Sequence, residues 1–136
     1  MKKILIFGGT GSLGSAIASQ LNKFFFKIKI YEKENIDFSK KNSSNKLSLI
    51  LRKENPDVVI NCVGFFSENL SSYKYIFDIN FMPTLEIIKF YKKRKNRKKI
   101  LIYIVGSSSY KKGNKNYMLY SSSKSALNNL CQGAQD

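Results

Sequence analysis

A glycine-rich turn near the start of the 136-residue chain constrains the fold most strongly: Gly8-Gly9-Thr10-Gly11-Ser12-Leu13-Gly14. The apolar run from Lys3 to Phe7 predicts a buried strand before it, and apolar residues at helical spacing predict a helix from Ser12 to Lys23 after it. Glycines in this setting let the backbone approach a pyrophosphate, which the free N–H groups of the helix N-terminus bind. The sequence predicts a dinucleotide-binding turn, with an ordinary tight turn as the alternative.

The rest of the chain alternates apolar runs with segments of helical spacing. Strands are predicted at Lys27 to Tyr31, Asn35 to Phe38, Asp57 to Cys62 and Ile100 to Val105. Helices are predicted at Leu47 to Glu54, at Tyr73 to Lys93 with a bend or break at Pro83, and at Met118 to Cys131. Such alternation indicates βαβ units and a parallel sheet with right-handed crossovers. We predict one Rossmann-like α/β domain over residues 1–136, a doubly wound sheet in three α/β/α layers.

The charge balance is strongly basic, with 24 Lys+Arg against 9 Asp+Glu. The densest run, Lys92 to Lys99, carries seven basic residues in eight positions. Phosphate backbones attract such runs, but recognition of nucleic acid also needs aromatic residues or a motif beside the charge. No aromatic residue interrupts this run, so we interpret it as a solvated helix end. Nucleic-acid binding is an alternative function, which we favour less than a small-molecule function.

Several function classes are excluded by composition. The chain has no histidine, so a Ser-His-Asp hydrolase and a histidine-ligated metal site are impossible. Cys62 and Cys131 lie far apart, without the spacing of a metal or disulfide motif. The opening apolar run is shorter than a secretory signal needs, and no run approaches the length of a membrane span. We expect a cytoplasmic protein without a metal and without a membrane partner.

An acidic residue about 20 positions beyond the glycine turn is expected to bind the adenosine ribose of a dinucleotide. Glu32 lies 18 residues beyond Gly14, at the end of the second predicted strand. The neighbouring Lys33 could instead accept a 2′-phosphate. The cofactor is therefore NAD or NADP, and the carboxylate favours NAD.

Tyr120 and Lys124 lie at i and i+4, on one face of the last predicted helix. Tyr91 and Lys95 form a second pair at this spacing, as expected by chance in a lysine-rich chain. Only Tyr120 follows a strand that ends in a hydroxyl residue, Ser107, 13 residues earlier. Carboxyl ends of strands are where ligands bind an open α/β sheet, so the Tyr120 pair is the candidate for chemistry.

Together these motifs resemble the short-chain dehydrogenase/reductase family, and the resemblance covers nearly the whole chain. Asp37-Phe38 is similar to the family's adenine-contacting pair, and Asn61-Cys62-Val63-Gly64 to its Asn-Asn-Ala-Gly segment. The resemblance implies cofactor contacts by Gly8, Thr10, Gly11, Ser12, Leu13, Gly14, Glu32, Asp37, Phe38, Asn61, Cys62, Val63, Gly64, Tyr120 and Lys124. It implies catalytic roles for Asn80, Ser107, Tyr120 and Lys124.

The implied reaction is hydride transfer between a nicotinamide and a carbonyl or secondary alcohol, with a sugar among the candidate substrates. Tyr120 would act as general acid/base, and the Lys124 ammonium would favour its phenolate and hold the nicotinamide ribose. Ser107 would bind the carbonyl oxygen, and Asn80 would anchor a water that links Lys124 to solvent. The sequence leaves open whether the chain forms a homo-oligomer.

Two features depart from the family pattern. Ser12 stands where the main dehydrogenase branch has its middle glycine, as in the extended, nucleotide-sugar branch, while the spacing of Ser107 and Tyr120 resembles the main branch. Family members also continue after the tyrosine-lysine helix with further strands and a substrate loop, which do not follow Asp136. We therefore expect a domain lacking its last strands. Alternatives are an inactive dinucleotide-binding fragment and a nucleotide-sugar reductase or epimerase.

Overall fold

The computed structural model describes residues 1–94 and 100–135. Residues 95–99 of the basic run, and with them Lys95 of the second Tyr–Lys pair, lie outside the described residues. The strands are β1 (Lys3–Phe7), β2 (Lys27–Tyr31), β3 (Val58–Asn61) and β4 (Leu101–Ile104). The α-helices are α1 (Ser12–Leu21), α2 (Ser43–Glu54), α3 (Tyr73–Asn80), α4 (Met82–Lys92) and α5 (Met118–Gly133). Short 3-10 helices cover Leu70–Ser72 and Ser108–Tyr110.

The four described strands form one parallel sheet in the order β2-β1-β3-β4. Ile4 pairs with Ile28 on one side and with Val58 on the other, and Val58 pairs with Leu101. The chain thus runs outward from β1 to β2 and then crosses back to the opposite side of β1. This reversal opens a crevice between the carboxyl ends of β1 and β3, where open α/β sheets bind ligands. The predicted Rossmann-like sheet is confirmed.

Helices cover both faces of the sheet, because side chains of each strand alternate between them. Leu5, Phe7 and Val59 point to one face, where Leu47 and Leu51 of α2 are buried with them. The opposite face carries a second cluster with Ala18 of α1: Ile4, Ile6, Val58 and Ile60. The two clusters lie between the sheet and the helices on its two faces, which gives the three α/β/α layers that the sequence predicts.

Strand β4 is the least covered strand. Its Leu101 and Tyr103 pair with Val58 and Ile60 and therefore share the face that α1 covers at its centre. Both side chains are nevertheless more than half exposed.

None of the helices within residues 1–94 and 100–135 is both long enough and apolar enough to cross a membrane.

The predicted strand at Asn35 to Phe38 is wrong. The backbone turns there, because the N–H groups of Asn35 and Ile36 both donate to the carbonyl of Glu32 at 2.9 Å. Ile36 and Phe38 are still buried, and the Phe38 ring contacts Phe7 edge-on at 5.7 Å. A loop that inserts two alternate apolar side chains into the core has the same pattern as a short strand.

The helical segment predicted from Tyr73 to Lys93, with a bend or break at Pro83, is two helices that meet at Phe81, two residues before the proline. Pro83 lies in the first turn of α4, where a missing N–H removes no helical hydrogen bond. Helix α2 begins at Ser43, four residues before the predicted start, because the side chains of its first turn are polar and give no apolar signal.

Candidate functional site

The glycine turn is shaped by two close backbone contacts. Gly8 has φ +74°, and a Cβ there would lie 3.1 Å from the Val63 nitrogen. A Cβ on Gly14 would lie 2.8 Å from the Gly9 Cα and closer still to the Gly8 carbonyl oxygen. Helix α1 therefore packs directly on the turn, which any side chain at Gly14 would push away.

The N-terminus of α1 is open to a ligand. Gly11 is its N-cap residue, and no side chain caps the first turn. A Cβ on Gly11 would approach only the Gly8 carbonyl oxygen, at 3.7 Å, so the space above it is free of protein. Uncapped N–H groups and the positive end of the helix dipole suit a pyrophosphate, so the residues present fit a dinucleotide. Thr10, Ser12 and Leu13 are exposed on this turn.

Glu32 lies at the end of β2 and reaches back to the glycine turn. Its Oε1 accepts a hydrogen bond from the Thr10 N–H at 2.8 Å. The Glu32 N–H in turn donates to the Asn35 Oδ1 at 2.9 Å, which holds the backbone beside the crevice. Lys33 is exposed. The carboxylate is thus fixed next to the turn, while the neighbouring ammonium is free to move in solvent.

A cavity of about 270 Å³ lies at the carboxyl ends of β1, β2 and β3. It is lined by predicted cofactor residues: Gly8, Gly11, Glu32, Asp37, Phe38, Cys62, Val63 and Gly64. It is also lined by Lys33, the alternative 2′-phosphate acceptor, and by residues that the sequence did not indicate: Tyr31, Ile36, Phe65, Tyr75 and Ile79. Tyr31 is the last residue of a predicted strand, and Phe65 directly follows the segment that ends at Gly64. These two positions are the sequence signals that could have identified them.

A larger cavity of about 370 Å³ lies between the start of α2 and helices α3 and α4. Part of its polar lining is already engaged, since Lys74 pairs with Asp78 and the Ser44 hydroxyl donates to Glu86 at 2.7 Å. We assign the functional site to the smaller cavity, because only that one adjoins the glycine turn at the strand ends.

Asn61 and Cys62 occupy different surroundings although they are adjacent. The buried Asn61 donates to the Thr84 hydroxyl of α4 at 3.1 Å and accepts the Val63 N–H at 3.1 Å. It does not line the cavity; it fastens the end of β3 to α4. Cys62 does line the cavity, and burial raises the pKa of its thiol. Asp37, also in the lining, accepts the Ser39 hydroxyl, which lowers the pKa of the Asp37 carboxyl.

Lys124 is 4% exposed on α5 and points toward the crevice. Its Nζ donates to the Val105 carbonyl at 3.2 Å and lies 5.7 Å from the centre of the Tyr120 ring. A Cβ on Gly64 would lie 3.8 Å from this Nζ, which places the ammonium next to the β3 segment. Burial lowers the pKa of Lys124. The structure therefore brings Tyr120 and Lys124 together beside the cofactor-binding candidates.

Asn80 is 1% exposed at the end of α3, and its amide forms three hydrogen bonds to protein groups. Oδ1 accepts the Phe65 N–H at 2.7 Å, while Nδ2 donates to the Phe65 carbonyl at 2.9 Å and to the Ser123 hydroxyl at 3.0 Å. Asn80 thus ties the loop after β3 to the helix that carries Tyr120. The water between Asn80 and Lys124 stays a prediction.

Ser107 is partly buried and follows β4. Its Oγ accepts the Ser109 N–H at 3.2 Å and so caps the short helix Ser108–Tyr110. The Ser125 hydroxyl of α5 donates to the Tyr110 carbonyl at 2.8 Å, which fastens this segment to the helix of Tyr120 and Lys124. Ser107 is thereby held at the same edge of the sheet as the Tyr120 pair.

A parallel sheet with a glycine turn at its crevice defines a Rossmann-type α/β domain. Within that class, the chain belongs to the NAD dependent epimerase/dehydratase family, whose model matches residues 4–135. The resemblance to short-chain dehydrogenases/reductases, the superfamily that includes this family, is confirmed. A search of curated proteins found no match to the sequence.

Solved structures share the fold. A short chain dehydrogenase family protein from Francisella tularensis superposes with a TM-score of 0.80 at 17% identity, covering 98% of this chain and 62% of its own. A dTDP-4-dehydrorhamnose reductase from Bacillus anthracis, in complex with NADP, superposes with a TM-score of 0.79 at 14% identity, covering 99% of this chain and 50% of its own. A short chain dehydrogenase from Burkholderia cenocepacia, also in complex with NADP, superposes with a TM-score of 0.81 at 15% identity, covering 98% of this chain and 64% of its own. The present chain therefore spans between half and about two thirds of these proteins.

Proposed function

We propose that the protein is an NAD(P)-dependent oxidoreductase of the short-chain dehydrogenase/reductase type. It would transfer hydride between a nicotinamide and a carbonyl or secondary alcohol, with Tyr120 as general acid/base. The observation that carries this proposal is the buried Lys124 ammonium beside the Tyr120 ring, in a family domain with an open glycine turn. Within residues 1–94 and 100–135 no carboxylate forms an ion pair with Lys124, and a buried charged group in a cleft is a candidate for a functional site.

The cofactor would be held by groups from both halves of the crevice. The N–H groups at the start of α1 would bind the pyrophosphate, and Gly11 leaves them room. Glu32, already fixed at the glycine turn, would accept the adenosine ribose hydroxyls and repel a 2′-phosphate, which supports NAD over NADP. Lys124 would hold the nicotinamide ribose. The bound nicotinamide would supply or accept the hydride.

The protein's own residues would manage the proton and the substrate oxygen. The Tyr120 hydroxyl would donate its proton to the carbonyl oxygen in reduction, which leaves a phenolate, and the Tyr120 phenolate would accept the alcohol proton in oxidation. The Ser107 hydroxyl would hydrogen-bond the same oxygen and stabilise charge that develops on it. Asn80 would keep α5 at its distance from the β3 segment through its bonds to Phe65 and Ser123.

A second candidate is a nucleotide-sugar reductase or epimerase of the extended branch. The family match to epimerases and dehydratases favours it, as does Ser12 in the glycine turn. Such an enzyme would use the same Tyr120, Lys124 and glycine turn. It differs in substrate, so turnover of a nucleotide-linked 4-keto sugar, but not of simple ketones, would decide for it.

Titration with NADH and NADPH, followed by nicotinamide fluorescence, tests the proposal. Gly11→Asp places a carboxylate in the free space at the α1 N-terminus, so we expect NADH affinity to fall by at least about tenfold through charge repulsion. Gly113→Asp is the matched control, because a Cβ there meets nothing within 4 Å. Tyr120→Phe should keep NADH affinity and lose turnover. Failure of the wild-type protein to bind either dinucleotide would overturn the proposal.

A further inference from the structure

The edge of the sheet where the strands begin lies opposite the candidate site and is strongly basic. The Lys3 ammonium donates to the Glu54 carbonyl at 2.6 Å, so the end of α2 lies beside the start of β1. Arg94, just beyond α4, donates to the Asn55 Oδ1 at 3.3 Å, so the ends of α2 and α4 also adjoin. The exposed basic residues of this edge, which we call the basic edge, are Lys2, Lys23, Lys27, Arg52, Lys53 and Lys92.

The turn between α1 and β2 carries two exposed rings on the same edge. Phe24 is 62% exposed and Phe25 is 95% exposed, the highest value for a large apolar side chain within residues 1–94 and 100–135. Phe26 instead packs against the core cluster that α1 covers. The Phe26 N–H donates to the Phe24 carbonyl at 2.8 Å, and the Phe24 N–H donates to the Leu21 carbonyl at 3.1 Å. The backbone of the turn is therefore held in place while the rings of Phe24 and Phe25 project into solvent.

Lysines surround these two rings. Lys23 and Lys27 flank the three phenylalanines in the sequence. The Lys27 N–H donates to the Lys2 carbonyl at 3.0 Å, which brings Lys2 beside the turn as well. All three lysine side chains are exposed. The rings thus project from the centre of a group of solvated ammonium groups.

The carboxylates of this edge do not cancel its positive charge. Within residues 1–94 and 100–135 they are Glu54 and Asp57. Glu54 is 2% exposed and pairs with Lys29 at 2.8 Å. The Asp57 carboxylate accepts the Lys3 N–H at 2.8 Å. The exposed charge of the edge is therefore positive and complements an anionic surface.

We propose that the basic edge docks on a membrane surface that contains anionic lipids, with Phe24 and Phe25 entering the boundary between head groups and acyl chains. Exposed phenylalanine rings suit this boundary, and neighbouring lysines bind the lipid phosphates. Such a contact needs no membrane-spanning helix, and it differs from our expectation from the sequence of no membrane partner. The glycine turn lies at the opposite edge of the sheet, so the candidate site stays open to solvent on the docked protein.

Lipid fits this edge better than nucleic acid does. Proteins that bind single strands combine a basic groove with aromatic residues along it, on which successive bases stack. Phe24 and Phe25 are adjacent on one tight turn, and neither ring lines either of the two cavities described above. Their side chains also have no hydrogen-bonding group with which to read a base edge.

Sedimentation of the protein with vesicles tests the docking directly. We expect binding to vesicles of phosphatidylcholine mixed with phosphatidylserine, and much weaker binding to phosphatidylcholine alone. Binding should weaken as salt is added, because salt screens the lysines from the anionic lipids. No binding to the mixed vesicles, or equal binding to both kinds, would overturn the proposal.

Charge reversal locates the contact. Lys23→Glu combined with Lys27→Glu should weaken binding to the mixed vesicles by at least about tenfold. Lys111→Glu combined with Lys112→Glu is the matched control, since it changes the net charge equally at exposed positions that follow β4, on the opposite edge. If the two double variants lose the same affinity, only the net charge of the protein matters and the assigned edge is wrong.

Ring insertion is measured with a single tryptophan, because the chain has none of its own. Phe25→Trp places an indole on the turn, and Leu70→Trp places one at a 55% exposed position on the opposite edge. Vesicles with brominated acyl chains should quench the indole at position 25 and leave the one at position 70 unchanged. Quenching at neither position, or equally at both, would contradict insertion of the turn.

Single-stranded DNA is the competing partner. Saturable quenching of Phe25→Trp by an oligonucleotide, without binding to the mixed vesicles, would assign the edge to nucleic acid and overturn the proposal. These measurements need no dinucleotide. Failure of the wild-type protein to bind NADH and NADPH would therefore overturn the proposed function, while the vesicle experiments decide separately on the basic edge.

Discussion

Glu54 and Lys124 are both buried charged residues, 2% and 4% exposed, but they have different surroundings. Glu54, at the end of α2, accepts the Lys29 ammonium at 2.8 Å and the Tyr31 hydroxyl at 3.0 Å, and Lys3 lies 3.6 Å away. The hydrogen bond from Lys29 outweighs burial and lowers the pKa of Glu54. Its neighbours therefore stabilise its charge.

Lys124 has a backbone carbonyl and the face of one aromatic ring as its described partners. Burial lowers the pKa of Lys124, so its surroundings favour the neutral amine. A buried charge that has an opposite charge beside it is compatible with a purely structural role. A buried charge without one is unfavourable for folding and is a candidate for a functional role. We therefore interpret Glu54 as part of the scaffold and propose Lys124 as part of the site.

The largest expected effect is on activity and follows Lys124→Met. We expect turnover with NADH to fall by at least about 100-fold, because the side chain would no longer assist proton transfer by Tyr120. The free energy of unfolding in urea should stay the same or rise, since no charge is then buried. Lys23→Met, at an exposed position, is the control. A decrease of more than about 2 kcal/mol in the free energy of unfolding of Lys124→Met would indicate that Lys124 belongs to the scaffold instead.

The opposite pattern is expected for Glu54→Gln. Replacing the carboxylate by an amide weakens the hydrogen bonds to Lys29 and Tyr31, so the free energy of unfolding should fall by about 1–2 kcal/mol. NADH affinity should not change, because Glu54 does not line the cavity at the strand ends. Parallel urea and NADH titrations measure both. A change in NADH affinity with unaltered stability would contradict the assignment.

The smallest effect is the pH dependence of the two stability differences. The pKa of Glu54 in the folded protein lies below its usual 4.5, so Glu54 is protonated first in the unfolded chain as the pH falls. The difference in free energy of unfolding between wild type and Glu54→Gln should therefore shrink below about pH 4.5.

The pKa of Lys124 in the folded protein lies below its usual 10.5, so Lys124 keeps its proton longer in the unfolded chain as the pH rises. The free energy of unfolding of wild type should therefore increase relative to that of Lys124→Met as the pH rises toward 10.5. Urea unfolding over this range would show both trends, and flat differences would contradict them.

The fold was predictable where local patterns are strong. The apolar runs of β1 and β3 and the glycine turn indicated the parallel sheet, because buried parallel strands and tight backbone contacts permit few residue types. The pattern misled at Ile36 and Phe38, since a loop that fills the core has the alternation of a strand. The predicted bend or break at Pro83 lies two residues beyond Phe81, where α3 and α4 meet, because proline is placed in the first turn of the second helix.

The candidate site was predictable as a set of residues but not as a set of contacts. Tyr120, Lys124 and the glycine turn follow from motif order along the chain. The hydrogen bond between Asn80 and Ser123 does not, because these residues are 43 positions apart in sequence.

The sequence by itself determined the backbone features of this protein: the glycine turn, the strand–helix alternation, and the order of its polar motifs. These depend on residues close together in the chain, where steric limits act directly. Only the tertiary structure decided which buried charge is compensated and which side chains Asn80 joins. Those outcomes depend on distances between segments that the chain brings together only when the core has formed.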